Sequence, residues 1–497
     1  MIKSEFKKTI CCFAIFAMFN CQSDLGWKAQ IPDTGTYSSP RAIDLNNDNI
    51  KDVVIGAGGK EEWDSSENGV LAINGKNGNL LWKVPCRNQM VGSAIFMDIN
   101  QDNTPDVIIG GRSAQLLAIN GASGDILWEL IKDDGSIDFK NDTTILNFFN
   151  PQFIPDQDND GIEDILIAYG GFVKAAPYDE NRPSGYLMII SANDGRIISK
   201  AAMPDGKETY LSPVIFDDGA RLNVLFGTGG ETIPGDFFIT PLSDLLDHTI
   251  EEHQVLVSGL DKGFIAPPLL ADMNHDDRLD IIVTAYDGKT YAINGDNLEL
   301  LWQVDFGAGF ETHSQPGIGY LNQDSIPDLF LNLGQGSWPH IENSIQVIID
   351  GASGKWKKIF ERGILQYSSP ISFENINSRQ TNFLLPVNEK APTVYAPESG
   401  MPAYKYSTSL YVFTPGGVEI IINTRDGINI GSTVLMEDLN QNGDSEIVMI
   451  YNLVSDDPFI HQGIAIECFP YTKGKSHWLG YMGPDGRSYF KPYKSGQ

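Results

Sequence analysis

One short loop, from Asp98 to Asp106, carries residue types that bind a hard cation. Side chains with oxygen atoms stand at its first, third, fifth and ninth positions, as Asp98, Asn100, Asp102 and Asp106. Calcium takes about six to eight oxygen ligands in a flexible cage, and alternating acidic and amide side chains on a tight turn supply most of them. The loop is therefore interpreted as a calcium clamp.

The same spacing recurs along the chain, whereas isolated Asp and Asn residues often only favour turns. The other four copies are Asp44, Asn46, Asp48 and Asp52; Asp156, Asp158, Asp160 and Asp164; Asp272, Asn274, Asp276 and Asp280; and Asp438, Asn440, Asn442 and Glu446. Three eroded copies near residues 217, 320 and 374 have lost carboxylates. Eight units therefore tile the chain, with up to five structural Ca²⁺ sites expected.

The residues around each clamp predict four strands per unit. A lead-in strand precedes the loop, and a β-branched run such as residues 53–57 follows it, which is typical of a buried strand. The third strand ends at Asn-Gly or Asp-Gly, dipeptides of short hairpins, and the fourth often carries Leu-Trp. Repeated eight times, this predicts an all-β fold, an eight-bladed β-propeller, with seven blades as the alternative.

Five tryptophans of the fourth-strand pattern are expected to pack between neighbouring sheets: Trp82, Trp128, Trp302, Trp356 and Trp478. Residues 26–32 copy that pattern before the first unit, so they could close the ring by pairing with the last blade. Residues 477–480 compete for this role. Cys86 and Cys468 stand in apolar strand contexts, and no disulfide is predicted between them.

These motifs resemble known propeller repeats. The Asp-rich loop followed by Val-Val-Ile-Gly-Ala is similar to the FG-GAP repeat of integrin α-subunits and their bacterial relatives, of VCBS type. Leu-Ala-Ile-Asn-Gly followed by Leu-Leu-Trp is similar to the quinoprotein-type repeat. The resemblance covers about residues 26 to 485. It implies structural calcium at the matching acidic positions, and it does not specify a function.

The amino end resembles the signal of a bacterial lipoprotein. Three lysines precede an apolar run that ends at residue 19, too short to span a bilayer, and Cys21 stands where the lipid-modified cysteine would be. The predicted divisions are a signal at 1–21, one propeller domain at 22–485 and a tail at 486–497. We expect an exported protein of the bacterial cell envelope, an outer-membrane lipoprotein on the periplasmic or surface side, although an ordinary signal peptide cut nearby remains an alternative. The net charge of −30 argues against a nucleic-acid partner.

Strand direction sorts the connections onto two faces. The clamps and short hairpins share one face, and seven longer segments, expected to be irregular, share the other: 57–69, 130–150, 170–185, 227–236, 332–344, 386–408 and 451–463. Binding residues usually lie in such excess loops. Here His313, Glu311 and His340 are low-ranked candidates for acid/base or metal chemistry, and no nucleophile or zinc motif is present.

Two functions from different classes remain. The first is a scaffold that is not an enzyme, held at a membrane by its lipid anchor, whose loop-rich face binds a protein or a glycan. The alternative is a polysaccharide-degrading propeller enzyme of the lyase type, with His313 and a nearby Arg or Tyr as acid/base groups. A quinone-dependent dehydrogenase is a weaker third hypothesis, and no cofactor other than Ca²⁺ is predicted.

Overall fold

The computed structural model describes residues 25–130, 146–322, 324–375, 380–393, 403–476 and 478–490. The predicted signal at 1–21, with Cys21, lies outside these residues. Within them the backbone forms eight antiparallel sheets and one short helix, so the predicted eight-bladed, all-β propeller is confirmed. The second and third strands of the blades are almost fully buried, because each blade packs both faces against its neighbours.

The strands follow chain order around the ring. β1 (Trp27–Pro32) comes first. Blades 1 and 2 comprise β2 (Arg41–Ile43), β3 (Asp52–Gly56), β4 (Ser66–Ile73), β5 (Leu80–Cys86), β6 (Ile95–Met97), β7 (Asp106–Gly110), β8 (Leu116–Ile119) and β9 (Ile126–Glu129). Blades 3 and 4 comprise β10 (Asn147–Phe148), β11 (Gln152–Ile154), β12 (Asp164–Gly170), β13 (Tyr186–Ile190), β14 (Ile197–Ala202), β15 (Val214–Asp217), β16 (Leu222–Gly227), β17 (Asp236–Pro241), α1 (Leu242–Leu246) and β18 (Gln254–Ser258).

The second half repeats the pattern with longer hairpins. Blades 5 and 6 comprise β19 (Leu269–Ala271), β20 (Asp280–Thr284), β21 (Thr290–Ile293), β22 (Leu300–Val304), β23 (Phe310–Glu311), β24 (Gly317–Gly319), β25 (Asp328–Ser337), β26 (His340–Ile349) and β27 (Trp356–Glu361). Blades 7 and 8 comprise β28 (Ile371–Asn375), β29 (Thr381–Pro392), β30 (Tyr404–Thr414), β31 (Gly417–Asp426), β32 (Leu435–Glu437), β33 (Ser445–Val454), β34 (His461–Tyr471) and β35 (Gly474–Ser476).

The amino-terminal strand closes the ring. β1 pairs antiparallel with β34, from Trp27 opposite Cys468 to Pro32 opposite Gly463, and so becomes the outer strand of blade 8. The competing stretch does not take this place, because the chain after β34 turns back and β35 pairs with the innermost strand of blade 7. The first of the two closure hypotheses is therefore the one the structure adopts.

Four tryptophans seal the contacts between blades. The indole nitrogens of Trp27, Trp82, Trp128 and Trp302 donate to backbone carbonyls of the hairpin in the next blade, at 2.6, 2.6, 2.9 and 2.6 Å. The predicted packing role is confirmed for Trp82, Trp128 and Trp302, and Trp27 makes the same contact from the closing strand. The prediction is wrong for Trp356, which is 43% exposed. Trp356 pairs with Ile349, and the equivalent position in blade 5 is occupied by Leu300.

The chain after β35 fills the axis of the ring. Trp478, also predicted to be a fourth-strand residue, is buried at the start of this axial segment, residues 478–490. Side chains from three blades donate to it: Arg41 to Tyr481 and Gly483, Gln152 to Gly486, and Gln315 to Ser488. Leu270 of a fourth blade exchanges backbone hydrogen bonds with Ser488 and Phe490. Residues 486–490, assigned above to a tail, belong to this segment, and 491–497 lie outside the described residues.

Three of the segments predicted to be irregular contain paired strands instead. β25 and β26, β29 and β30, and β33 and β34 extend their ladders well into residues 332–344, 386–408 and 451–463. The prediction of irregular structure was wrong there because these residues depart from the repeat while still pairing with each other. The backbone N–H and C=O groups of these residues hydrogen-bond across each hairpin, so the hairpins of blades 6 to 8 extend farther on the loop-rich side.

Candidate functional site

The clamp loops share one backbone geometry. In all five complete copies the first acid accepts the amide of the sixth residue: Asp44 from Asn49, Asp98 from Asn103, Asp156 from Gly161, Asp272 from Asp277 and Asp438 from Gly443, at 2.8 to 3.0 Å. The sixth residue has a positive φ, between 64° and 95°, which Gly, Asn and Asp tolerate. The sequence pattern therefore encodes both the loop shape and its carboxylates.

The ninth acid fastens each loop to the neighbouring hairpin. Asp52 accepts the amides of Leu45 and Gly75, both at 3.0 Å, and is fully buried. Equivalent pairs join Asp106 to Ile99 and Gly121, Asp280 to Met273 and Gly295, and Asp328, in an eroded copy, to Leu321 and Gly351. Burial and nearby carboxylates raise the pKa of Asp52 to about 6 despite these hydrogen bonds.

Blade 3 departs from this arrangement. The residue at the hairpin position of Gly75 is Ala192, and a Cβ at the four equivalent glycines would lie 1.8 to 1.9 Å from a loop carbonyl. Asp164 Oδ1 consequently has no hydrogen-bond partner, although the side chain is buried. Asp156, Asp158 and Asp164 place one carboxylate oxygen each within 4.8 Å of one another, the one such acidic or metal-ligating trio among the described residues. These oxygens suit a hard cation.

The other four loops with complete patterns offer the same kinds of oxygen ligand, with amides in place of some carboxylates. Asn100 and Asn274 donate to Asp102 and Asp276, both at 2.9 Å, and Asn440 donates to Glu446 at 3.1 Å. The eroded loop of blade 4 is shorter, and Asp218 there accepts amides from its own turn. Part of the eroded loop in blade 7 lies outside the described residues.

A pocket on the opposite face gathers titratable and aromatic side chains from blades 4 to 6. We call it the His313 pocket, and it comprises Glu231, Lys262, Tyr286, Glu311, His313, Trp338 and Tyr367. These residues come from the connections that follow second strands and from those that lead into the next blade. Both kinds of connection emerge on one face, because inner strands run from this face toward the clamps.

His313 stands at the centre of the pocket. Its Nε2 lies 3.1 Å from the hydroxyl of Tyr286 and 3.8 Å from Oε1 of Glu231. The rings of Tyr367 and Tyr286 meet it edge to face, with centroids 4.1 and 4.9 Å away. Trp338 packs edge to face on Tyr367 at 5.0 Å and on Phe459 at 5.3 Å. The imidazole is therefore held in a fixed orientation among hydroxyl and carboxyl groups.

The electrostatics keep His313 neutral and Glu231 easily protonated. Burial, together with the Lys262 ammonium, lowers the pKa of His313 to about 3. Burial and the Glu311 carboxylate raise the pKa of Glu231 to about 7. Glu311 itself is buried, forms an ion pair with Lys262 and accepts the Trp338 amide at 2.9 Å. The pocket can therefore accept, donate or share protons near neutral pH.

The three sequence candidates have different positions. Glu311 and His313 belong to one pocket, whereas His340 is exposed at the start of β26. Glu231, Lys262, Tyr286 and Tyr367 were missed. A signal was present for Tyr367, because Tyr37, Tyr210, His313 and Tyr367 each stand three residues before the lead-in proline of their unit. This repeated position places an aromatic ring at the entry to the innermost strand of blades 1, 4, 6 and 7.

Blades 1 to 4 carry ion pairs on the same face as the His313 pocket. Arg112 pairs with Glu62 at 2.7 Å and lies over the Trp63 ring, which Lys174 also approaches. Arg182 pairs with Glu208 at 2.6 Å, and both side chains are nearly inaccessible to solvent. These ion pairs fix the rim without leaving a free guanidinium for a ligand.

The fold and these side chains define a β-propeller with a cluster of aromatic and polar groups on one face. Residues 27–226 match the family described as the FAM234A/B beta-propeller, which is less than half of the chain. No curated protein matches the chain in sequence. No helix among the described residues is both long enough and apolar enough to cross a membrane.

Several solved structures share the architecture. A europium-containing methanol dehydrogenase is 10% identical, with a TM-score of 0.55 over 89% of this chain and 92% of that one. Quinohemoprotein alcohol dehydrogenase ADHIIG from Pseudomonas putida HK5 is 10% identical, with a TM-score of 0.50 over 91% and 76%. BamB from Moraxella catarrhalis is 11% identical, with a TM-score of 0.43 over 89% and 100%. At these identities the likeness shows the fold alone.

Proposed function

We propose that this protein is an exported binding scaffold of the bacterial cell envelope, and that the His313 pocket binds its ligand, a glycan or a protein. The supporting observation is the pocket itself, in which three aromatic rings and several polar groups converge on connections that the sheets do not need. Aromatic rings beside hydrogen-bonding groups suit a sugar ring, which can pack on an aromatic face while its hydroxyls form hydrogen bonds. A glycan is therefore the favoured ligand.

Membrane attachment through Cys21 is part of the proposal. The orientation of β1 supports a defined geometry, because the Trp27 indole bonds to Gly75 in a hairpin on the clamp face. The chain therefore enters β1 from that face. The step from Cys21 to Trp27 spans at most about 20 Å when extended. A lipid on Cys21 would turn the clamp face toward the membrane and leave the His313 pocket open to the opposite side.

Calcium in the five complete clamp loops is also proposed. The donors fit the ion by type and spacing, and blade 3 offers the strongest case, since Asp164 Oδ1 is buried without a partner beside two other carboxylates. Each ion would neutralise acids whose mutual repulsion otherwise opposes folding. When bound, calcium supplies structural cross-links within the clamp face and no chemistry at the His313 pocket.

Binding is tested with the calcium-loaded chain and a panel of neutral, acidic and amino oligosaccharides. Trp338→Ala is expected to weaken binding of the preferred glycan at least tenfold, because it removes a rim ring of the pocket. Trp356→Ala, an exposed tryptophan at the start of β27, is the matched control and should leave the affinity unchanged. Binding of a folded protein to none of the glycans would count against a glycan ligand.

A polysaccharide-cleaving enzyme of the lyase type is the second candidate. The position of His313 favours it, because a neutral imidazole 3.1 Å from a phenol and 3.8 Å from a carboxyl group can pass a proton once a substrate draws these groups together. New unsaturated or reducing chain ends that disappear in His313→Ala but persist in His340→Ala would establish it. A scaffold would release no chain ends, and His313→Ala would change its affinity only modestly.

A further inference from the structure

Glu231 is a carboxylate without a cationic partner in the His313 pocket. Its side chain is 36% exposed, and among the described residues no lysine or arginine lies within ion-pair distance of it. The two cations that act on it most strongly, Lys262 and Arg112, are already paired with Glu311 and Glu62. The pocket therefore carries an uncompensated negative charge whenever Glu231 is ionised.

The neighbouring groups do not relieve this charge. His313, whose Nε2 lies 3.8 Å from Glu231, remains neutral because burial and Lys262 lower its pKa to about 3. Burial, together with repulsion from the Glu311 carboxylate, raises the pKa of Glu231 to about 7. A ligand that brings a positive charge would replace the missing partner, whereas a carboxylate or sulfate would meet two acids.

The second observation concerns hydrogen bonding. The Tyr367 side chain is only 7% exposed, and its buried hydroxyl forms no hydrogen bond of good geometry with the protein. Its ring packs on His313, which also contacts Glu231. The Tyr286 hydroxyl acts on the Tyr367 hydroxyl only in poor hydrogen-bonding geometry, and an under-satisfied buried hydroxyl costs free energy, so a ligand that displaces the covering side chains and bonds to Tyr367 gains affinity at this point. Trp338 offers an apolar face beside it.

We propose that the His313 pocket binds a glycan containing an amino sugar, with the free ammonium group paired to Glu231, a ring hydroxyl bonded to Tyr367 and the sugar ring packed near Trp338. This assignment rests on the proposed binding function and specifies the ligand class. It excludes glycans built from uronic acids, because their carboxylates would face Glu231 and Glu311. It also excludes fully N-acetylated glycans as preferred ligands, because an amide carries no charge.

The test compares three oligosaccharides of equal length by calorimetry on the folded, calcium-loaded chain: a glucosamine oligomer, its fully N-acetylated form and a uronic acid oligomer. The glucosamine oligomer should bind at least tenfold more tightly than the acetylated form. Glu231→Gln should bring the two affinities within about threefold of each other, since it keeps the shape of the side chain and removes its charge. Glu251→Gln, an exposed acid between α1 and β18, is the matched control and should preserve the preference.

Each outcome separates the two proposals. Equal binding of the charged and acetylated forms, or a preference that survives Glu231→Gln, overturns the amino-sugar assignment and leaves glycan binding intact. Tighter binding of the uronic acid oligomer overturns it as well. Binding of none of the three sugars removes the proposed glycan function too. Binding of a lysine-rich peptide in place of the sugars would assign the ammonium site to a protein partner.

The pH dependence supplies an independent readout. Between pH 7 and 5.5 both Glu231 and the sugar amine take up protons, because the ring oxygens hold the pKa of an amino-sugar ammonium well below that of lysine. Protonation of Glu231 should cost affinity, whereas protonation of the amine should add it. The other charged or titratable groups facing Glu231 are Glu311, Lys262, Arg112, Glu208 and His313. His313 does not titrate in this range. In Glu231→Gln the loss of affinity should be absent, and a loss that persists there would contradict the assignment.

Discussion

The acid at the ninth position of a clamp loop can fasten the loop to its hairpin or bind a cation. The hydrogen bonds of this acid show which role it has in each blade. In blade 6, both oxygens of Asp328 accept backbone amides, at 3.0 and 3.1 Å, in a loop that begins with Tyr320 in place of an acid. In blade 3, one oxygen of Asp164 has no hydrogen-bond partner beside two more carboxylates. The same residue type is therefore mainly a structural fastener in one blade and a potential ligand in the other.

This contrast predicts which variant responds to calcium. Calcium should raise the melting temperature of the native chain, since an ion that binds only the folded state adds about 2.7 kcal/mol at 100 times its Kd. Asp164→Asn should reduce this gain by removing a charged ligand. Asp328→Asn is the control and should destabilise by about 1–3 kcal/mol with or without calcium, because an amide cannot accept both backbone hydrogen bonds. An unchanged melting temperature in excess chelator would contradict the calcium sites.

The Lys262 and Glu311 pair can be tested by removing the cation. Glu311 is only 3% exposed at its side chain, so Lys262→Met would leave a buried charge unpaired. The expected loss of unfolding free energy is about 3 kcal/mol or more, measured by denaturant titration. Lys358→Met breaks an exposed pair with Glu361 and should cost less than about 1 kcal/mol. Equal losses in the two variants would show that the buried pair has no special role.

At the scale of the strand, the tryptophans distinguish a sealing position from an exposed one. Trp82 is 8% exposed and bonds to the next blade, whereas Trp356 is 43% exposed and stands at the register of an exposed leucine. Trp82→Ala should reduce the unfolding free energy by about 3–5 kcal/mol. Trp356→Ala should cost less, about 1 kcal/mol, because its half-exposed ring loses only an edge-to-face contact with Phe306 at 5.0 Å. Comparable losses, measured by denaturant titration, would refute the difference in roles.

The repeat made much of the fold predictable from sequence. Spacing, Asn-Gly turns and β-branched runs identified the strands, because each is enforced by local backbone chemistry in every copy. Residues 332–344 were misassigned since hairpin extension depends on pairing between two non-repeated stretches. Glu231 and Lys262 were missed for a related reason, because they approach His313 and Glu311 only when separate blades are arranged around the axis. His313 was identified from sequence because histidine is a common acid/base and metal-binding residue. Its partner Tyr286 follows a buried strand and gave no comparable signal.

At the scale of the whole ring, the seam where β1 meets blade 8 contains a buried histidine. His461 is fully buried at the start of β34, and neither ring nitrogen has a hydrogen-bond partner. Burial lowers its pKa from 6.5 to about 4. Because the unfolded chain binds the proton first, the stability that neutral His461 contributes is complete above about pH 6.5 and is lost as the pH falls toward 4.

The seam is therefore expected to weaken in acid. His461→Phe keeps a ring against Tyr37, which His461 meets edge to face at 5.7 Å, and removes the titration. Its melting temperature should fall less between pH 6.5 and 4.5 than that of the native chain. His340→Phe, at an exposed site, is the control and should follow the native curve. Identical slopes for all three proteins would exclude His461 as the acid-sensitive group.

The closure of the ring by its first strand also sets the order in which the molecule is completed. At about 5–20 residues per second, the partner strand β34 is synthesised roughly 20 to 90 s after β1. Until then β1 has no sheet to join. Its alternating pattern places Lys28 and Gln30 on one side of the strand and only partly buried residues on the other. A short strand with a charged face is a poor template for pairing between chains, so the early segment can wait without promoting aggregation.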